Sequence, residues 1–138
     1  MGFPKSHATT ILADVFKQGN TMALLTAVDT ENDTYTEASG LGYARYTLKS
    51  GDFTWSMGVA TTAQHILYGL AEGSWGNIVG FAIFGGGTLK YLAELKEAKN
   101  VSADKVPVFK KYNAATGDGI RVTLDVVTAA SMSVTETT

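Results

Sequence analysis

The stretch Trp75-Gly76-Asn77-Ile78-Val79-Gly80-Phe81-Ala82-Ile83-Phe84-Gly85-Gly86-Gly87-Thr88-Leu89-Lys90-Tyr91-Leu92 constrains the fold more than any other part of the chain. Two apolar segments are joined by three glycines. An extended second segment makes the pair a β-hairpin in an all-β sandwich. A helical second segment makes it a strand–turn–helix of the kind that cradles nucleotide phosphates. Leu89–Lys99 is rich in helix formers, and Lys90 and Glu94 stand four apart, as on one helix face. The dinucleotide fingerprint, however, wants a third glycine at position 90, which is Lys90, and no Gly-Lys-Ser/Thr phosphate loop follows. Few βαβ units are readable around it. The glycines are better explained as a turn that uses positive φ, and a helix over Leu89–Lys99 would break the sandwich.

The flanking sequence supports short strands. The chain has 15 glycines but two prolines in 138 residues, with Thr, Val, Tyr and Phe in short runs between glycines. Strands are expected at Met22–Val28, Tyr43–Leu48, Phe53–Val59, Gln64–Tyr68, Asn77–Phe84, Val106–Phe109 and Ile120–Val126. Phe53, Trp55, Met57 and Val59 alternate with smaller or polar residues, as do Ile120, Val122, Leu124 and Val126. Lys49-Ser50-Gly51-Asp52 and Asp118-Gly119 read as turns, and Pro107 reads as an edge or a strand start. Residues 8–18 form the one convincing helix, with Ile11, Leu12, Val15 and Phe16 on one face, Ser6 or Thr9 as its cap and Gly19 as its stop. Such a helix covers an open end or edge of a sheet. The polar segment Asp29–Glu37 reads as a loop, and the low-complexity tail from Thr128 as a flexible arm.

The inventory for chemistry is thin. With no cysteine, disulfides, thiolate metal sites and a cysteine nucleophile are excluded. His7 and His65 are the only histidines, and their spacing suggests no zinc site. No Gly-x-Ser-x-Gly elbow occurs. Asp29, Glu31 and Asp33 alternate like the start of a calcium loop, but Thr34 and Gly40 replace the glycine and glutamate that such a loop needs. A formal charge of −2 offers no global field for nucleic acid. The N-terminus shows no secretory h-region, and the apolar run Trp75–Gly87 is too short to span a bilayer. Lys96, Lys99, Lys105, Lys110 and Lys111 make one stretch locally basic. It is either a solvated face or a patch for an acidic surface, including the 29–37 loop of another copy.

Gly42-Tyr43-Ala44-Arg45, the Trp75–Phe84 strand, the Gly85–Leu95 turn and strand, and Gly117-Asp118-Gly119 before Ile120–Val126 follow in an order that resembles small structural proteins of tailed bacteriophages. These are of the head-decoration, cement or tail-fibre type, and the likeness is greatest to a jelly-roll cement protein of a Bordetella podophage. It covers about residues 40–126 and carries fold information, without catalytic roles. Fibre-type members usually have a loop with Asp, Ala and Thr where this chain has Gly85-Gly86-Gly87, which leaves fibre and cement both open.

The expected fold is all-β: a jelly-roll-like antiparallel β-sandwich of about eight strands with one short N-terminal helix. It is expected as a single domain over 1–127, including an N-terminal arm, followed by a C-terminal arm over 128–138. The resemblance implies a non-enzymatic decoration protein that binds the outer surface of the major capsid protein shell, stabilises the head and forms a homodimer. The alternative is a collar or tail-fibre module, with carbohydrate binding through Trp55 or Trp75. A cupin-like metal enzyme is the third reading. No cofactor, metal, nucleic acid or membrane partner is expected. The expected location is the capsid exterior of the virion, after synthesis in the host cytoplasm. Phe3, Pro4, Lys5, Lys110, Lys111, Met132 and Val134 are the expected interface residues.

Overall fold

The computed structural model describes residues 5–123 and 127–136. The element order is helix α1 (Lys5–Val15), then strands β1 (Thr21–Asp29), β2 (Thr34–Glu37), β3 (Tyr46–Thr47), β4 (Phe53–Ser56), β5 (Val59–Thr62), β6 (Ile66–Leu67), β7 (Gly76–Gly85), β8 (Thr88–Val101), β9 (Lys105–Phe109), β10 (Gly119–Thr123), β11 (Val127–Ser131) and β12 (Ser133–Glu136). The fold is an all-β antiparallel sandwich with one short helix. One sheet runs β2-β1-β7-β8, with β3 also on β1; a second runs β11-β10-β5-β4; a third runs β12-β9-β6. A single apolar cluster joins them. It takes Met22, Leu24, Ile78, Phe81 and Ile83 from the first sheet, Phe53, Ala60, Ile120 and Val122 from the second, and Ile66 and Phe109 from the third.

The glycine-linked pair is a hairpin. Gly85 faces Thr88, and Gly86 and Gly87 form the two-residue turn with φ of 59° and 82°. Positive φ at both central residues matches the right-handed twist of the strands. Leu89–Lys99 is therefore strand despite its helix formers, because Ala93 and Leu95 bury against the core from an extended backbone. Lys90, which stands at the missing third glycine, pairs instead with Asp14 at the end of α1 (Nζ–Oδ2 2.8 Å).

Helix α1 begins earlier than the sequence suggests, so Ser6 and Thr9 lie within it. Thr9 Oγ1 accepts a hydrogen bond from the Gly58 N–H at 2.7 Å. Leu12, Val15 and Phe16 are buried, and Phe16 stacks on Phe53 at 4.4 Å between centroids. The helix ends at Val15, so Gly19 (φ 95°) is not its stop as expected; it lies in the following turn, where the Asn20 N–H donates to the Lys17 carbonyl at 3.3 Å. The buried Asn20 amide donates to the Asp14 and Val15 carbonyls, each at 2.9 Å, and satisfies acceptors that the helix leaves open.

Several expected elements differ. Phe53–Val59 is not one strand: Met57 (φ 53°) and Gly58 (φ 77°) turn the chain between β4 and β5, which exposes Met57. The period-2 pattern simply ran across the turn. Part of the Asp29–Glu37 loop is β2, paired with β1. The chain after 127 is not a free arm over its described part. It forms β11 against β10 and β12 against β9, with Met132 buried where the chain passes from the second sheet to the third. Polar Thr and Ser there satisfy their backbones in ladders, so composition alone gave no sign of pairing. Strand β9 lies between β12 and β6, although Pro107 suggested an edge. The Pro107 carbonyl accepts from the Tyr68 N–H (3.0 Å) just beyond the two-residue β6. In an antiparallel strand a residue's N and O point to the same side, so the donor that Pro107 lacks falls past the end of that short ladder. Leu124–Val126 of the expected last strand lies outside the described residues.

Strand β7 approaches β8 so closely at Gly80 that a Cβ there would collide with the Ala93 carbonyl, and would lie 3.0 Å from Val28 Cγ1. Gly80→Ala is expected to lower stability by about 1–3 kcal/mol, read as a lower urea midpoint with unchanged far-ultraviolet circular dichroism.

Candidate functional surface

Of the expected interface residues, only Lys110 and Lys111 line a common feature among the described residues. Phe3 and Pro4 lie outside the described residues, and Lys5 opens α1. Met132 is 1% exposed and belongs to the core. Val134 pairs through its backbone with Pro107 in β12. Lys110 and Lys111 alone come together with other chemistry. They leave β9 exposed and, with His65, Tyr112, Asn113 and Asp118, line a surface depression of about 550 Å³.

Buried Thr62, at the end of β5, anchors the backbone beside this depression. Its hydroxyl donates to the Lys110 carbonyl (2.9 Å) and accepts from the Ile120 N–H (3.1 Å), while its carbonyl accepts from the Tyr112 N–H (3.0 Å). One side chain thereby ties the exit of β9 to the entry of β10. A Cβ at Gly119 would come within 2.6 Å of the Lys110 carbonyl and 2.7 Å of Thr62 Oγ1, so only glycine fits there. Asn113 and Asp118 close the loop between β9 and β10. The Asn113 N–H donates to the Asp118 carbonyl (3.0 Å), and the Asn113 side chain accepts from the Ala115 N–H (2.9 Å). The Lys111 N–H donates to His65 Nδ1 at 3.0 Å. Sequence spacing could not show this site, because His65, Thr62 and Lys110 meet only through the pairing of β5 with β10 and β6 with β9.

The aromatic and acidic candidates serve the fold. Trp75 is buried, its indole N–H donates to the Leu41 carbonyl (2.9 Å), and Tyr43 meets it edge-on. It therefore offers no face to a sugar. Trp55 is half-buried against the core. The Asp29 carboxylate accepts from the N–H groups of Glu31 and Asn32 and from the Asn32 amide, so it folds back on its own turn. Those hydrogen bonds, first from the Asn32 side chain, hold its pKa below the ordinary value.

Tyr43-Ala44-Arg45 is not a strand; that segment is reduced to β3 at Tyr46–Thr47. The motif acts through its side chains. Arg45 makes a two-point pair with Glu37 (Nε–Oε2 2.9 Å, Nη2–Oε1 2.8 Å) and lies 4.1 Å over the Phe84 ring. The Tyr43 hydroxyl donates to Glu37 Oε2 (2.7 Å) and accepts from the Leu24 N–H (3.1 Å). Arg45 thereby lies over Phe84 of a second apolar cluster, Ala23, Leu25, Ala82 and Phe84, while Tyr43 packs against the main core.

A family model described as podophage GP4 fiber I protein gp80 matches residues 17–124, well over half of the chain. The chain belongs to this family. The matched span begins just after α1 and runs through β10, so it contains both the first-sheet core and the depression. No curated protein and no solved structure matches the chain. The broad resemblance to phage structural proteins holds, and the family is one of fibre proteins; the particular likeness to a cement protein is not carried by the match.

Two outcomes test this geometry. Thr62→Val, which keeps the shape and removes the hydroxyl, is expected to cost about 1–3 kcal/mol by leaving the Lys110 carbonyl and Ile120 N–H unpaired, measured by urea denaturation. Glu37 is held below its ordinary value of 4.5, first by the Arg45 hydrogen bond and then, against the opposing effect of burial, by Tyr43. The folded state thus binds its proton less readily than the unfolded chain does. The contribution is complete above that value and is lost as pH falls below it. Glu37→Gln is expected to lower stability by about 1–2 kcal/mol near neutral pH, and to flatten the acid limb of the stability–pH curve.

Proposed function

We propose that this chain is a non-enzymatic structural module of a phage fibre, present in the virion and acting through its surfaces. The observation that carries this reading is the family match over residues 17–124. The physical character of the molecule supports it. The long strand β8, at the end of its sheet, carries Lys90, Glu94, Lys96, Glu97 and Lys99, a charged composition that resists indiscriminate edge-to-edge pairing. The short edge strands β2, β4 and β6 offer limited backbone for a neighbour to extend. Assembly of copies, as a homodimer or a larger fibre oligomer, belongs to the same proposal, as does synthesis in the host cytoplasm.

Immunogold labelling of purified virions tests the reading. Label on fibres or at the tail is the expected result. Label over the capsid shell would replace it with the decoration role, in which the partner is the major capsid protein and removal of the chain lowers the heat resistance of the head. Absence of the chain from purified virions by mass spectrometry would overturn both.

A further inference from the structure

We infer that the depression at the exit of β9 is a binding site for a small ligand bearing a carboxylate or phosphate group, held by Lys110, Lys111 and the imidazole of His65. The charge arrangement is the first ground. Lys17 and Lys90 share Asp14, and Arg45 is satisfied by Glu37. Lys110 and Lys111 are adjacent, exposed and on the wall of one concavity, and neither makes an ion pair among the described residues. The one carboxylate in the lining, Asp118, has its Oδ2 engaged by the Thr116 hydroxyl at 2.9 Å. In a chain of net charge −2, this is a local surplus of cations.

The second ground is the built frame. His65 Nδ1 accepts from the Lys111 N–H, so in the neutral ring the proton is on Nε2, which is left as a donor. The buried Thr62 hydroxyl and the close approach at Gly119 fix the backbone that carries both lysines. A volume of about 550 Å³ is of small-molecule size. Tyr112 and Asn113 add an apolar surface and a polar group to the same wall. Ammonium and imidazole donors around one concavity select oxyanions over neutral ligands. This site goes beyond the fibre role and does not depend on it.

Amide chemical shifts of the full chain, titrated at constant ionic strength with inorganic phosphate, glucuronate and glucose, test the inference. Phosphate, glucuronate or both are expected to shift Lys111, Tyr112 and Asn113 and to saturate at a dissociation constant on the order of 1 mM; which of them saturates separates the phosphate from the carboxylate source. Glucose should leave these signals in place. K110A/K111A should weaken anion binding at least ~10-fold, about the effect of 1.4 kcal/mol, while the rest of its spectrum stays that of the folded chain. Non-saturating shifts, equal shifts with glucose, or unchanged binding by K110A/K111A would overturn the site. So would shifts at these amides that depend on protein concentration without added anion, since the occupant would then be a carboxylate of a second copy.

Discussion

The rest of the structure depends on strand β7 being buried on both faces and paired on both edges. It bonds to β1 through Gly80–Phe84 and to β8 along its whole length. Ile78, Phe81 and Ile83 face the main core, while Ala82 and Phe84 face the outer cluster. Each large side chain so buried contributes on the order of 1.5–3 kcal/mol. Irregularities in the pairing with β8 at Ile78–Gly80 and Ile83–Phe84 let a 10-residue strand follow a 14-residue partner. The hairpin turn at Gly86-Gly87 fixes that register, and with it the side of β8 that meets the core.

A small set of buried polar ties then sets the layers against one another. The Tyr68 hydroxyl donates to the Met22 carbonyl at 2.6 Å and links the chain after β6 to β1; its burial pushes the phenol pKa well up. Asn20 joins the end of α1 to the start of β1, and Thr62 joins β5 to the strands on either side of the basic depression. Glu37 ties Tyr43, which packs on the main core, to Arg45, which lies over Phe84 of the second cluster. These groups are costly to leave unpaired, so they favour one arrangement of sheets that apolar packing alone would permit in several. The depression is a product of this arrangement: Thr62 of the second sheet holds its backbone, and its lysines follow directly on β9 of the third.

The legible parts of the chain were those where one local rule had no rival. Strands β1, β7 and β9 follow from apolar runs of strand length, and the described part of β10 follows from alternation, with Ile120 and Val122 buried as that pattern requires. Other segments misled for identifiable reasons. Phe53–Val59 alternates through a turn because Met57 accepts a positive φ that apolar periodicity does not register. Pro107 lies inside a sheet because its missing donor faces the end of a two-residue strand. Tyr43-Ala44-Arg45 reads as strand, yet its side chains reach Glu37, Leu24 and Phe84 while its backbone stays out of the ladders. Met132, exposed to suspicion as part of a polar tail, fills the core where two strands meet.

The sequence by itself determined that this chain is all-β with a helix at its start, that its centre is a glycine-turned hairpin, and that its order of motifs is that of a phage structural protein. Those properties reside in short-range patterns: period-2 burial, glycine at positive φ, and apolar spacing on one helix face. Only the tertiary structure decided that the tail completes two sheets, that Trp75 is core, and that His65, Lys110 and Lys111 share one concavity. Each of these depends on pairing between segments far apart in the chain: Thr62 with Lys110 and Ile120, His65 with Lys111, and Pro107 with Val134. Long-range register is fixed by the whole packed core, and no local window of the sequence contains it.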